Sequence, residues 1–104
     1  MADQTTQKAK SLRVIAPQLY KDIINAMTAK HNIHSYDIQA TAIEKKDGLT
    51  IILRFGEEFA HTQEAFFTHE TIKDRGEELN QFIQETADIC KDVMVKDYFK
   101  MMKP

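Results

Sequence analysis

The pattern of apolar and polar positions divides the chain into a helix, a strand hairpin, a third strand and a long terminal helix. The terminal helix is predicted over Thr68–Met102, where apolar residues recur mostly at steps of three, four or seven and so form one stripe. At about 1.5 Å per residue this helix is about 50 Å long, so its end is expected to project. The stripe consists of Ile72, Leu79, Phe82, Ile83, Ala87, Cys90, Met94, Tyr98 and Met101.

Two positions compete for the start of this helix. Thr68 can accept a hydrogen bond from a free N–H of the first turn as an N-cap. Asp74 with Glu77 three residues later has the spacing of a capping box, and Gly76 between them disfavours a continuous helix. The early start is preferred because Ile72 shares the stripe of the later apolar residues.

A first helix is predicted from Pro17 to Lys30. Proline suits the first turn of a helix and not its middle, so Ser11 to Ala16 forms a separate turn or a kinked approach. Asn32 is a candidate for the left-handed residue at the helix end. The apolar spacing is carried by Leu12, Ile15, Leu19, Ile23 and Met27.

Two runs with a period of two, Tyr36–Ala42 and Leu49–Phe55, predict an antiparallel hairpin. The turn lies at Lys45-Lys46-Asp47-Gly48, where Asp-Gly is expected to supply positive φ angles. A four-residue loop sets Ala42 opposite Ile51, and a two-residue loop sets it opposite Leu53. Both keep one face apolar, whereas a three-residue loop puts polar side chains into the core unless a bulge restores the phase.

After a turn at Gly56-Glu57-Glu58, a third strand is predicted over Phe59–Phe67. A short helix across residues 57–66 is the alternative, because His61 and Gln63 share the inward phase. The fold class is therefore α+β: a helix, a three-stranded antiparallel meander and a long C-terminal helix, with the helices packed on one face of the sheet. Residues 1–10 are expected to be a mobile tail, and residues 11–104 a single domain.

Composition restricts the class of protein. The chain has 104 residues, a net charge of −2 and one cysteine, so it can bury a core but cannot form an intrachain disulfide. The polar start lacks the apolar segment of a signal peptide, and no apolar run reaches the length of a membrane span. A cytoplasmic location is expected.

Charge is unevenly distributed. Residues 1–34 carry five basic and two acidic residues, residues 57–88 carry nine acidic and two basic, and residues 89–104 carry four lysines and two aspartates. Solvated helix faces explain this layout. The alternative is an acidic surface that meets a basic partner or the basic end of a second copy.

Few residues in the sequence are candidates for catalysis or metal binding. The four histidines, His31, His34, His61 and His69, do not have the spacing of a metal site, and Cys90 lies in mid-helix on the apolar stripe. We therefore expect no catalytic, cofactor or metal site and no enzyme activity. A small-ligand or metal site under the sheet, near Tyr36, His61 and Phe66, is kept as an alternative.

Nucleic-acid binding is a second alternative. Helix, three strands, helix is also the element order of double-stranded-RNA-binding domains, which carry lysines at the start of the last helix. Here that start is acidic, and the order alone indicates no family membership. The basic residues available for phosphate contacts form two small groups, Lys8, Lys10 and Arg13, and Lys45 and Lys46.

Protein binding remains the leading hypothesis. The end of the terminal helix combines lysines with large apolar residues, and methionine adapts readily to binding surfaces. Either these side chains cover the protein's own core, or they form the interface of a homodimer or bind another protein. The candidate interface residues are Met94, Tyr98, Phe99, Met101 and Met102.

Overall fold

The computed structural model describes the backbone of residues 8–102 and the side chains of residues 8–98. Within this range the chain is an α+β protein with one antiparallel sheet of four strands in the order β1-β2-β3-β4. The strands are β1 (Lys10–Ser11), β2 (Ile38–Glu44), β3 (Gly48–Phe55) and β4 (His61–Thr68). The helices are α1 (Leu12–Ile15), α2 (Pro17–His31), α3 (His69–Asp74) and α4 (Glu77–Met102), and short 3-10 turns span Ser35–Asp37 and Glu57–Phe59.

The α+β class is confirmed, but the prediction of three strands is wrong. The additional strand, β1, pairs antiparallel with β2, with Lys10 opposite Ala42 and Ser11 opposite Thr41. A two-residue strand is too short to show a period of two, so only its proximity to β2 defines it. Lys10 is the last residue of the predicted tail, and residues 1–7 of that tail lie outside the described residues.

Both ends of α2 are set by the backbone preferences of single residues. Pro17 occupies the first turn of α2, and the separate helix α1 precedes it, as predicted. Asn32 ends α2 in the left-handed conformation with φ 58°, and its N–H donates to the carbonyls of Met27 and Thr28. Thr28 Oγ1 then donates to the Ile33 carbonyl at 2.5 Å, which holds the chain as it turns toward β2.

The hairpin between β2 and β3 has the four-residue loop. Ala42 lies opposite Ile51 and Ile38 opposite Phe55, which confirms one of the two predicted registers. The prediction of positive φ angles in the Asp47-Gly48 turn is wrong: neither residue has a positive φ. Gly48 is needed for a different reason: a Cβ there would lie 2.0 Å from the Phe67 carbonyl oxygen. The strand β4 therefore approaches the hairpin too closely for any side chain.

The segment after β3 is a turn followed by a strand. Gly56 has φ 86° and Glu58 has φ 56°, and these left-handed residues reverse the chain. β4 then pairs with β3 along its whole length, so the strand prediction is confirmed and the alternative short helix is wrong. Phe59, predicted to begin the strand, lies in the turn and is 40% exposed.

The prediction of one continuous helix from Thr68 to Met102 is wrong. Thr68 does cap α3, accepting from the Thr71 N–H at 3.2 Å, but α3 ends at a left-handed Arg75 with φ 53°. The Gly76 N–H bonds the Thr71 carbonyl, and α4 starts afresh at Glu77. The guanidinium of Arg75 donates hydrogen bonds to the Ile72 carbonyl and the Asp22 carboxylate. Because Asp22 lies on α2, this contact helps to stabilise the interruption between α3 and α4. α4 is consequently about 39 Å long.

One buried cluster joins one face of the sheet to both long helices. The even positions of β2 and the odd positions of β3 point into it, as the alternation predicts. α2 contributes Leu19, Ile23 and Met27, and α4 contributes Leu79, Ile83, Ala87 and Cys90. Both helices therefore pack on the same face.

Candidate functional site

The predicted interface at the end of α4 contains both core and surface positions. Met94 is half-buried and packs against the core cluster, and the Cys90 Sγ lies 3.6 Å from its Sδ. Tyr98, one turn later, is 60% exposed. The helix backbone continues to Met102, but the side chains of Phe99, Met101 and Met102 lie outside the described residues.

The turn between β3 and β4 holds this part of α4 in place. The Glu57 N–H donates to the Asp97 carboxylate at 3.2 Å, which joins the turn to the last turns of the helix. A cavity of about 180 Å³ lies between them and is lined by Tyr36, Asp37, Gly56, Phe59, Met94 and Asp97. The helix thus lies against the rest of the protein at Asp97, and only its last turn and a half extends beyond this contact.

Two exposed aromatic residues accompany the helix at this cavity. Tyr36 is 76% exposed and stacks on His34 with ring centroids 5.3 Å apart. Phe59 is 40% exposed in the neighbouring turn. Together with Met94, Asp97 and Tyr98 they form what we call the α4-end surface. Sequence reasoning missed the two aromatics from outside the helix, because only the folded chain places residues 36 and 59 beside residue 94.

Val95 also belongs to this end of the helix and is 38% exposed. It was not among the predicted interface residues. A signal for it was present in the sequence, since Val95 lies off the apolar stripe and the helical period places it away from the core.

Cys90 is unsuited to nucleophilic chemistry. Its side chain is fully buried, and burial, assisted by the charge of Asp37, raises the pKa of the thiol to about 11. A thiol that stays protonated and inaccessible is neither a nucleophile nor a ready metal ligand. It packs as a small core residue, as its place on the apolar stripe predicts.

The histidines are dispersed over separate contacts. His31 Nε2 lies 2.7 Å from the Asp88 carboxylate, and Lys30 lies 3.1 Å from the same oxygen, so α2 and α4 are joined at this point. These hydrogen bonds, that of His31 first, lower the pKa of Asp88. His61 stacks on Phe55 at 6.0 Å. Within residues 8–98, no three His, Cys, Asp or Glu side chains are grouped as a metal site.

The suggested ligand site near Tyr36, His61 and Phe66 is not assembled. His61 and Phe66 differ in parity along β4, so their side chains point to opposite faces of the sheet. Phe66 is 47% exposed on the face without helices and lies opposite Thr50, whereas Tyr36 belongs to the α4-end surface.

Three basic residues, Lys10, Lys45 and Lys46, lie at the hairpin end of the sheet. Lys10 Nζ lies 3.8 Å from Glu44, directly before the loop that carries Lys45 and Lys46. The two loop lysines line a shallow depression together with Phe66. Arg13 lies apart, beside α2, in a cavity of about 350 Å³ that Lys21 also lines.

None of the helices among the described residues is long and apolar enough to cross a membrane. Comparisons with protein-family models, with curated protein sequences and with solved structures gave no match.

Proposed function

We propose that this protein is a non-catalytic protein-binding domain of the cytoplasm that self-associates through the end of α4. The observation that supports it is the α4-end surface, in which Tyr36 and Phe59 share a cavity with Met94 while Tyr98 follows one turn further. Aromatic residues that remain exposed around a common depression are typical of protein interfaces.

Energetics favour covering this surface. Removing a large apolar side chain completely from water contributes about 1.5–3 kcal/mol, and Tyr36, Phe59 and Tyr98 each retain a large exposed fraction. Two-fold association would place each copy of the surface against its equivalent, so that every contact occurs twice.

Sedimentation velocity at micromolar concentration tests the proposal. The wild-type protein is expected to sediment as a dimer, and Tyr98→Asp is expected to give a monomer, because it would place a charge in the apolar contact. Phe99→Asp, at the other aromatic residue of the interface predicted from the sequence, is expected to have the same effect. Val14→Asp is the matched control, since Val14 is 76% exposed but lies on α1. A wild-type monomer that these substitutions leave unchanged would contradict self-association.

A second candidate function is nucleic-acid binding, which one observation favours. Lys45 and Lys46 line the same depression as the exposed ring of Phe66, so phosphate contacts and base stacking could occur together. Binding should be salt-sensitive and lost in the double variant Lys45→Glu/Lys46→Glu. A mobility-shift experiment at low salt with single-stranded oligonucleotides that shows no complex would exclude this candidate.

A further inference from the structure

Three segments of the chain enclose the cavity of about 350 Å³ beside Arg13, which we call the α1–α2 cavity. Arg13 comes from α1, Lys21 and Asn25 come from α2, and Ser35 comes from the turn before β2. Small-molecule sites in proteins have volumes of about 300–1,000 Å³, so this cavity can hold a small organic ligand.

One flank of α2 forms the wall of the cavity. Its residues recur at steps of three and four, and they are distinct from the Leu19, Ile23 and Met27 positions that enter the core. Tyr20 is half-buried and packs against the core cluster, so its ring is held in place. The apolar part of the wall consists of Pro17, Tyr20 and Ile24.

The positive charges of the cavity are not neutralised within the described part of the chain. Neither Arg13 nor Lys21 takes part in an ion pair there. Asp22, the acidic residue of α2, pairs with Arg75 instead. None of the described residues that line the cavity is acidic. The charge of the cavity therefore favours an anionic ligand.

The donors around the cavity favour phosphate over carboxylate. The planar guanidinium of Arg13 matches two phosphate oxygens at once, and the ammonium of Lys21 adds a second charge. The Asn25 amide and the Ser35 hydroxyl can also donate. A carboxylate carries a single charge, whereas a phosphate monoester carries nearly a double charge at neutral pH and has more acceptor oxygens. Two like charges that share a cavity repel each other, and a dianion between them replaces this repulsion by attraction.

A second depression, of about 310 Å³, adjoins the α1–α2 cavity, because Arg13 and Tyr20 line both. It extends from them to residues 38–41 of β2. None of the described residues that line it is acidic. A ligand with its anionic group beside Arg13 can therefore place its organic part against Tyr20 and toward β2.

We propose that the α1–α2 cavity binds a small organic phosphate monoester. Its phosphate lies between Arg13 and Lys21, and its organic part packs on the apolar wall that includes Tyr20. The paired cations and neutral donors support the phosphate, and the wall supports the organic part. This inference does not rest on the proposed self-association, which sedimentation of the protein alone tests.

Amide chemical shifts measured by NMR, with phenyl phosphate as the probe, test the inference. Shift changes that saturate at millimolar concentration or below are expected at Arg13, Tyr20, Lys21 and Ser35. Phenyl sulfate has nearly the same shape with a single charge, so at equal ionic strength it should bind about tenfold more weakly. Inorganic phosphate lacks the ring and should also bind about tenfold more weakly.

A blocked tripeptide with a central phosphotyrosine carries the same phosphate ester on a peptide. It should bind no more tightly than phenyl phosphate, because its flanking residues would lie outside the cavity. Tighter binding of the tripeptide would assign the site to a phosphorylated partner protein and overturn the assignment to a small molecule.

Substitutions separate the two halves of the site. Arg13→Gln should weaken phenyl phosphate binding about tenfold, and Lys21→Gln about three- to tenfold. Lys91→Gln is the matched control, since Lys91 is an exposed lysine on α4 without an ion pair among the described residues, and it should leave binding unchanged. Tyr20→Leu should weaken the binding of phenyl phosphate but not that of inorganic phosphate.

Arg13 and Lys21 are exposed, so their glutamine variants should fold and keep the test decisive even if Tyr20→Leu is unstable. Three outcomes would overturn the inference: no saturable shifts with phenyl phosphate at millimolar concentration, equal binding of phenyl sulfate, or binding that Arg13→Gln and Lys21→Gln both leave intact. Shift changes confined to Lys45 and Lys46 would likewise exclude the α1–α2 cavity as the site.

Discussion

Arg75 donates from its guanidinium Nε to the carboxylate of Asp22 at 2.8 Å, across 53 positions of sequence. Arg75 is also the left-handed residue that separates α3 from α4, so one side chain holds α2 against the point where the terminal helix changes direction. Both side chains are partly shielded from solvent, which strengthens the pair relative to a fully exposed one.

The first prediction concerns this residue. Arg75→Ala should lower the free energy of unfolding more than Arg75→Gly, although both remove the ion pair, because only glycine adopts a φ of 53° at little cost. The difference is expected to be about 1 kcal/mol. Urea denaturation of the two variants and of Asp22→Asn, which removes the charge of the partner while keeping Arg75, measures the two effects separately. Equal stability of the alanine and glycine variants would contradict the argument.

The second prediction concerns the approach of β4 to the hairpin. Gly48→Ala should destabilise the protein by about 3 kcal/mol or more, because its Cβ would lie 2.0 Å from a backbone oxygen that no rotamer change can move. Gly76→Ala is the control. There the nearest atom to a new Cβ is the Thr71 Cγ2 at 3.2 Å, so a change within about 1 kcal/mol is expected. Thermal melts followed by circular dichroism compare the two variants.

The third prediction concerns acid stability. The pKa of Asp88 in the folded protein is lowered from its ordinary value of 3.8, first by the hydrogen bond with His31 and then by that with Lys30. A lowered folded pKa stabilises the protein above the unfolded pKa, and this contribution is lost as pH falls below 3.8 through the folded value. The stability difference between wild type and Asp88→Asn should therefore be present at pH 6 and shrink toward pH 2.

Urea denaturation across this pH range measures that difference. Asp92→Asn provides the comparison, since Asp92 is an exposed aspartate on the same helix that has no ion pair among the described residues. A difference between wild type and Asp88→Asn that stays constant from pH 6 to pH 2 would show that Asp88 acts through something other than its charge.

The fourth prediction concerns Thr86, which is 1% exposed. Within the described residues, its Oγ1 has no hydrogen-bond partner. A buried hydroxyl without a partner destabilises the folded state, and valine has nearly the same shape. Thr86→Val should raise the free energy of unfolding by about 1 kcal/mol, measured by urea denaturation, while Thr86→Ala should lower it by leaving a cavity. A destabilised valine variant would mean that the hydroxyl is satisfied.

Much of the secondary structure could be derived from local sequence alone. The alternation over residues 36–42 and 49–55 predicted which strand faces are buried, because shifting a strand by one residue exchanges its faces. It was wrong at Tyr36, which lies in the turn before β2 and is exposed. Pro17, Asn32 and Thr68 marked helix ends correctly, since capping depends on a residue and its immediate neighbours. These inferences succeed because the interactions behind them span only a few residues.

The residues of the candidate site come from distant parts of the chain, so most of them could be grouped only from the tertiary structure. Sequence pattern identified the apolar end of the terminal helix, but only the fold showed that Met94 packs on the core and that Tyr36 and Phe59 lie beside it. Glu57 bonds Asp97 across 40 positions, and no local signal connects these two residues.

Local pattern was sufficient to predict the α+β class, the hairpin phase and the apolar stripe of the last helix, because each follows from a short period in side-chain character. Only the folded structure shows the strand β1, the left-handed break at Arg75, the need for glycine at position 48 and the packing of Phe82 on α4 against Phe67 on β4. Each of these features depends on contacts between segments that are distant in the chain. Their contribution to folding stability therefore arises only when the core is assembled.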